Sequence, residues 1–355
     1  MTINDHKMTI NAYKMTKSIL AYSIALTLLT TSACKTKQSQ SDTTQTTEQK
    51  TVSAPAFNAD SAYTYIEKQV AFGPRVPNTP AHTQTGNYLV TKLKQFGCEV
   101  TQQSFVATTW DGKKLNALNI IGSINPKATK RIVLASHWDS RPHADNDPDK
   151  ADQNKPVTAA NDGASGVGVL LELARTIQQS NQKPTEGIDI IFFDAEDWGN
   201  GEKASNDFEQ ASGNQFDYIG FCLGSRYWAK NLHKPGYSAY YGILLDMVGA
   251  KGATFAKEGL SMQFAPTVVN NVWQTASNAG YSQYFVDTPG GQITDDHVAP
   301  NTIAKIPMID IIHTNIGTGG FFPGWHTAED DMRSIDKGTL KAVGQTLLQV
   351  LYNEE

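Results

Sequence analysis

The sequence predicts an α/β fold: a single domain with a central mixed, mostly parallel sheet flanked by helices. Short apolar runs suited to buried strands, at residues 131–136, 188–194, 241–248 and 307–312, alternate with segments of helical periodicity, and that alternation covers a parallel sheet on both faces. The stretch 188–198, IDIIFFDAEDW, is the clearest of these. From Ile188 to Asp194 every residue is Ile, Phe or Asp, as a central two-sided strand requires, and the run ends in the carboxylates of Asp194, Glu196 and Asp197. Ligands of open α/β sheets bind just beyond such strand ends. At 355 residues and 39% hydrophobic composition there is material for one large core with insertions.

Taken in order, the chain begins with a segment that does not belong to the fold. Residues 18–31 are apolar or small apart from a few hydroxyls, with Lys14 and Lys17 before them and Ser32-Ala33-Cys34 after, which reads as an export signal over 1–33. Met15 makes the more natural start. The small residues before Cys34 resemble the lipobox of bacterial lipoproteins, with Thr31 standing where Leu is usual. Residues 34–57, rich in Gln, Thr, Ser and Lys, read as a disordered, lipid-anchored tether, and 58–355 as the folded body. The expected place is therefore the envelope of a Gram-negative bacterium, periplasm or outer membrane, with the membrane reached only through the lipid.

In the body, Asn58 or Asp60 caps a first helix to about Phe72. A second helix follows Pro80, burying Leu89, Val90, Leu93 and Phe96 before Gly97 stops it. Strands follow at 99–107 and 116–124, and helices at 164–178, 224–231, 266–279 and 337–351. Two stretches without regular structure, 141–157 and 199–221, are long for a compact domain and read as borders of a site.

Composition excludes several classes. A net charge of -5 and a pI near 5.9, with no basic stripe, argue against nucleic acid as a partner. Beyond Cys34 only Cys98 and Cys222 remain, spaced for neither a zinc ribbon nor a disulfide scaffold, so both are expected as buried free thiols. No GxxxxGK[ST] phosphate cradle and no GxSxG elbow is present.

What remains is a set of carboxylates and imidazoles at strand ends: His137 and Asp139 in SHWDS, Glu196 and Asp197 in DAEDW, and Asp246 in LLDMVG. Asp162, before Gly-Ala-Ser and an apolar-periodic run, also suits a helix N-cap. Late in the chain stand His297 and His326, whereas His143, His233 and His313 read as structural. An oxygen-rich set with one or two imidazoles suits zinc in a hydrolytic or acyl-transfer site, where the metal polarises a carbonyl and a nearby Glu handles the proton.

The motifs SHWDS, NDGASGVG, FFDAEDW, LGSRYWA, LLDMVGA, DDH and WHTAEDD occur in the order seen in the zinc aminopeptidase superfamily and its glutaminyl cyclase branch, which the chain resembles from about Ser61 onward. The resemblance implies a phosphorylase/hydrolase-like fold. It implies Asp162, Asp197 and His326 as ligands of one zinc per chain, His137 and Asp246 at the positions of a second metal in the peptidases with Asp139 beside them, and Glu196 as general acid/base. Within the superfamily, Trp325 before His326, Phe322 and Pro323 before that, Asp295 opening the Asp-Asp-His triplet, and Trp198 after the acid pair resemble the cyclases. Asp310 departs from the His of animal cyclases, and Ser136 and Val167 occupy the places of their disulfide.

The cyclase resemblance implies a monomeric enzyme acting on peptides or exported proteins with N-terminal Gln. Trp198, Phe322 and Trp325 would wall the pocket, and Glu196, Asp246 and Asp295 would form a coupled acid network. A di-zinc aminopeptidase of the same superfamily is the other function this sequence allows.

Overall fold

The structure, a computed structural model, describes residues 53–200, 220–315 and 320–354. The expected signal segment, Cys34 and most of the tether lie outside the described residues, as does most of the expected border 199–221. Residues 53–57, placed in the tether by sequence, are instead packed on the body. The N–H groups of Ala54 and Phe57 donate to Gln349 and Gln345 of the last helix, and the Phe57 ring is buried against Gly344, where any Cβ would collide with it.

Helices α1 (Ala59–Val70) and α2 (Pro80–Gln95) start where their caps predict. Asn58 accepts the N–H of Ser61 and Thr79 that of His82, with Pro80 in the first turn, where a missing N–H costs nothing. An antiparallel pair follows, β1 (Glu99–Thr108) and β2 (Lys114–Ile124). The chain then alternates through β3 (Arg131–His137), α3 (Ala164–Gln179), β4 (Gly187–Phe193), α4 (Leu223–Lys230) and β5 (Tyr241–Asp246). It continues with β6 (Phe255–Lys257), α5 (Gly259–Phe264), α6 (Pro266–Asn278), β7 (Phe285–Pro289), β8 (Met308–Ile312) and α7 (Lys337–Asn353). The short elements β6, α5 and β7 are not among those the sequence predicts.

The six-stranded sheet runs β1-β2-β4-β3-β5-β8. β4, β3, β5 and β8 are mutually parallel, and the β1/β2 pair joins them antiparallel through β4. Every residue of the parallel strands is buried. Their side chains divide by the two-residue repeat: Ile132, Leu134, Ile188, Ile190 and Phe192 enter the core beneath α1, α3 and α7, while Val133, Ala135, Ile191 and Phe193 enter a second core with Trp228 and Met308. Each of the Val, Ile, Leu, Phe and Met side chains among these contributes roughly 1.5–3 kcal/mol by leaving water. Among the described residues no helix is long and apolar enough to cross a membrane.

Asp189 is the one charge in the middle of β4, fully buried on the second face. Its carboxylate accepts from Arg131 Nε at 2.5 Å and Nη2 at 2.7 Å, from Ser123 at 2.5 Å and from Tyr237 at 2.7 Å. Removing one partner of such a pair strands the other. Asp189→Ala is therefore expected to destabilise the domain by about 3–5 kcal/mol, seen as a lower urea midpoint at unchanged slope. Asp189→Asn should also destabilise it, because its single amide oxygen can serve only one of Ser123 and Tyr237, which donate to different oxygens of Asp189, and it offers Arg131 no charge.

Candidate active site

Because β4, β3 and β5 are parallel neighbours, their carboxyl ends open on one rim. β3 delivers His137 and, two residues on, Asp139. β5 ends in Asp246, and β4 runs out into Asp194-Ala195-Glu196-Asp197. Asp194 fixes that exit, accepting from the N–H groups of Leu118 (2.6 Å) and Ala195 (2.8 Å) and from His82 Nε2 (2.9 Å). Ala195 then turns the chain at φ 55°. Asp139 accepts the N–H groups of Glu196 (3.0 Å) and Asp197 (3.2 Å), so its carboxylate is spent on holding the turn, with one oxygen 3.5 Å from His137 Nδ1.

Asp162 stands at the entrance to α3, but the capping position is Gly163, and no side chain caps this helix. Asp162 is oriented from its backbone: Asp330 accepts the N–H groups of Asn161 (2.7 Å) and Asp162 (3.0 Å). A Cβ on Gly163 would fall 2.4 Å from His137 Nε2, so only glycine lets that ring lie against Asp162.

Two clusters share Asp162. In one, His137 Nε2 lies 2.9 Å from Asp162 Oδ1 and 3.3 Å from Asp246 Oδ1. In the other, His326 Nε2 lies 3.3 Å from Asp197 Oδ1 and 3.8 Å from Asp162 Oδ2. Within each cluster one ligand atom per residue falls within 4.8 Å of the others. Burial opposes a charge on both imidazoles, but the carboxylates outweigh it, holding His137 well above its ordinary pKa and His326 at about 9. Burial likewise opposes ionisation of Asp197, yet His326 and Arg141, whose Nη1 donates to it at 2.8 Å, keep its pKa below the usual value.

The other oxygen of Asp197 is buried with no hydrogen-bond partner. An orphaned carboxylate oxygen beside an imidazole and a second carboxylate is a donor set that fits a divalent metal.

Above the clusters opens a cavity of about 610 Å³ floored by Asp162, Glu196, Asp197, Asp246 and Asp295 and walled by Met247, Ile293, Ile312, Phe321 and Trp325. Burial, reinforced by the neighbouring acids, raises Glu196 well above the usual carboxylic range. Burial together with Asp162 raises Asp246 to about 7. Asp295 and Asp310 are also raised, first by burial, and Asp310 further by Asp295. The Trp325 ring stacks on His326 with centroids 3.8 Å apart.

The other two aromatics expected in the wall lie elsewhere. Phe322 points down among Met247, Ala250 and Ile312, and its neighbour Phe321 faces the cavity, since adjacent side chains in extended chain point to opposite sides. Trp198 packs against Val76, Phe105 and Leu115 and borders an adjoining space of about 520 Å³, which shares Phe221, Trp325 and His326 with the first.

With this geometry in view, the profile of Peptidase family M28 matches residues 119–351. The chain belongs to peptidase family M28. It is similar to the glutaminyl cyclase of Bacteroides thetaiotaomicron, solved bound to N-acetylhistamine, with 52% identity and a TM-score of 0.80 over 85% of this chain and all of that one. It is similar also to a Zn-dependent exopeptidase of Parabacteroides distasonis, with 51% identity and a TM-score of 0.79 over 85% of this chain and all of that one. Among curated relatives it is 25% identical to the glutaminyl-peptide cyclotransferase of Bos taurus over 311 residues, 79% of this chain and 78% of that one.

Several residues that build this M28 site carry no sequence signal of their own. Arg141 joins Asp145 (Nε to Oδ1, 2.7 Å) to Asp197, and Asp145 in turn lies 3.5 Å from His326 Nδ1. The 141–157 stretch, irregular as expected, thus reaches the site, and Asn146 N–H donates to the carbonyl of His326. Asp330, four residues after His326 in WHTAEDD, acts through main-chain N–H groups of Asn161 and Asp162 and is not among the site residues the sequence singles out. Cys98 and Cys222 are free and buried.

Proposed function

We propose that this chain is a glutaminyl cyclase, converting the N-terminal glutamine of peptides and proteins to pyroglutamate with release of ammonia. The observation that carries the proposal is the pairing of a protonatable Glu196 with a cavity whose wall includes Met247, Ile293, Ile312, Phe321 and Trp325, in a chain 52% identical to a glutaminyl cyclase over that enzyme's whole length.

The substrate's α-nitrogen forms a bond to its own side-chain amide carbon, and the bond from that carbon to the amide nitrogen breaks. The attacking amine loses one proton and the departing nitrogen gains one, so a single group on the cavity floor serves both transfers. Glu196 is placed for it, and burial raises its pKa well above the ordinary carboxylic value, which favours its holding the proton between the two transfers. Nucleophile and electrophile are tethered in one residue, so the protein's remaining task is to hold a reactive conformer. Ile293, Phe321 and Trp325 keep out water, which would hydrolyse the amide to glutamate.

Asp162, Asp197 and His326 would hold one zinc, and when bound there it supplies Lewis-acid polarisation of the side-chain carbonyl. Asp246 and Asp295 stand beside Glu196 as acids that share protons with it. The complete second cluster of His137, Asp162 and Asp246 favours one other reading, a di-zinc aminopeptidase.

The cellular place rests on sequence: export through 1–33, lipid on Cys34, and display as an envelope lipoprotein. Cys34→Ser is expected to move the protein from the membrane fraction of a Gram-negative host to the soluble fraction, and a variant that fractionates like wild type would leave a plainly secreted enzyme.

Elemental analysis of the purified protein is expected to give about one zinc per chain, with His326→Ala losing it because one of three protein ligands is gone; two tightly held zincs would point to the peptidase. A peptide beginning with Gln should release ammonia and lose its free amine with all peptide bonds intact. Glu196→Gln should keep its zinc while losing about 10²–10⁴-fold in rate, the scale of general acid-base catalysis. Release of leucine from leucyl peptides, with Gln-peptides left uncyclised, would overturn the cyclase assignment.

A further inference from the structure

The turn that carries Glu196 is braced from a second direction. Phe221 forms an antiparallel bridge with Asp197, Cys222 N–H donates to the Glu196 carbonyl at 2.9 Å, and Leu223 N–H donates to that of Ala195 at 3.1 Å. Directly after, Gly224 lies so close to the end of β4 that a Cβ there would fall 2.3 Å from the Asp194 carbonyl, which presses the start of α4 against the strand exit. Between these contacts Cys222 takes a left-handed backbone, φ 55°, uncommon for a residue with a side chain. Its thiol is thereby aimed at the general acid/base: Sγ donates to Glu196 Oε1 at 3.4 Å, with Asp295 completing a trio whose donor atoms all lie within 4.8 Å.

We propose that Cys222 is a positioning residue for the proton transfer, its S–H anchoring one oxygen of Glu196 so that the other exchanges the proton with substrate. This rests on Glu196 being the acid/base of the reaction proposed above. Burial, with Glu196 and the neighbouring aspartates adding to it, keeps the thiol protonated, and hence a donor rather than a nucleophile or thiolate ligand. An oxygen held by a weak donor keeps its bearing without the drop in basicity that a cationic partner would impose. A long, unanchored Glu side chain would instead spread over several rotamers, few of them reaching both nitrogens.

The test compares wild type, Cys222→Ser and Cys222→Ala on one Gln-peptide, reading kcat and KM separately alongside zinc content and melting temperature. Ser keeps an O–H donor; Ala keeps the backbone but no donor. The expected result is that Ala loses about tenfold in kcat, the scale of a loosened reacting group, with KM and zinc unchanged, while Ser stays within about twofold of wild type. An Ala variant with wild-type kcat overturns the proposal. So does a Ser variant as slow as Ala, or losses that follow melting temperature through the series, since packing alone would produce them. If wild type releases no ammonia, it is the cyclase reading that fails, and the same variants assayed for amino-acid release from leucyl peptides then decide Cys222 by the same outcomes.

Discussion

The constraint on which this site depends is the gathering of carboxylates out of water. Asp139, Asp162, Asp197, Asp246, Asp295 and Asp310 are all buried, with Glu196 among them at the cavity floor. Like charges at such range cannot all ionise without compensation. The chain compensates in different ways in different places. Arg141 and the two imidazoles put positive charge against Asp197, Asp162 and Asp246. Backbone N–H groups satisfy Asp139; they also bind Asp330, whose pKa burial and Asp162 nonetheless raise to about 8. Elsewhere burial wins and protons remain: Glu196, Asp295 and Asp310 are pushed towards their neutral forms, and so is Asp246 despite His137 at 3.3 Å.

This sorting also separates acids that hold from acids that react. Asp139, Asp194 and Asp330 have their oxygens committed to main-chain N–H groups and fix where the turns go. Buried Arg75 does similar work from outside, donating to the carbonyls of Trp138, Thr158 and Ala159 and so tying the exit of β3 to the approach of Asp162. Asp162, Asp197 and Glu196 are then free to point their carboxylates at the cavity from backbones they do not have to support.

Much of this was legible in the sequence, for a physical reason. A strand buried on both faces must be almost wholly apolar, so the carboxylates of IDIIFFDAEDW and LLDMVG stand out at their ends, and the parallel order that places those ends together follows from strand-helix alternation. Asp189 and Asp194 were less legible: one is an acid inside the strand, explained only by Arg131 on the neighbouring strand, and the other a hinge pin explained by His82 on α2. Phe321 and Phe322 exchange roles because adjacency in sequence does not say which of two rings faces the cavity. Arg141, Asp145 and Asp330 act through partners far along the chain or through main-chain contacts, and neither periodicity nor spacing records such contacts.

Asp310 shows what a single exchange does in this setting. Animal cyclases, by the resemblance above, carry a histidine there, which brings a possible cation to the acids around it. Here the residue is another carboxyl, fully buried, with both oxygens lacking a donor, and Asp295, Asp246 and Glu258 all act to raise its pKa. Only a proton can settle it there. Once protonated, Asp310 turns from an acceptor into a donor able to reach Asp295, which is the role a neutral imidazole N–H would fill. With Asp295 among the groups that raise Asp310, the protonation of the two is a property of the pair and not of either residue alone.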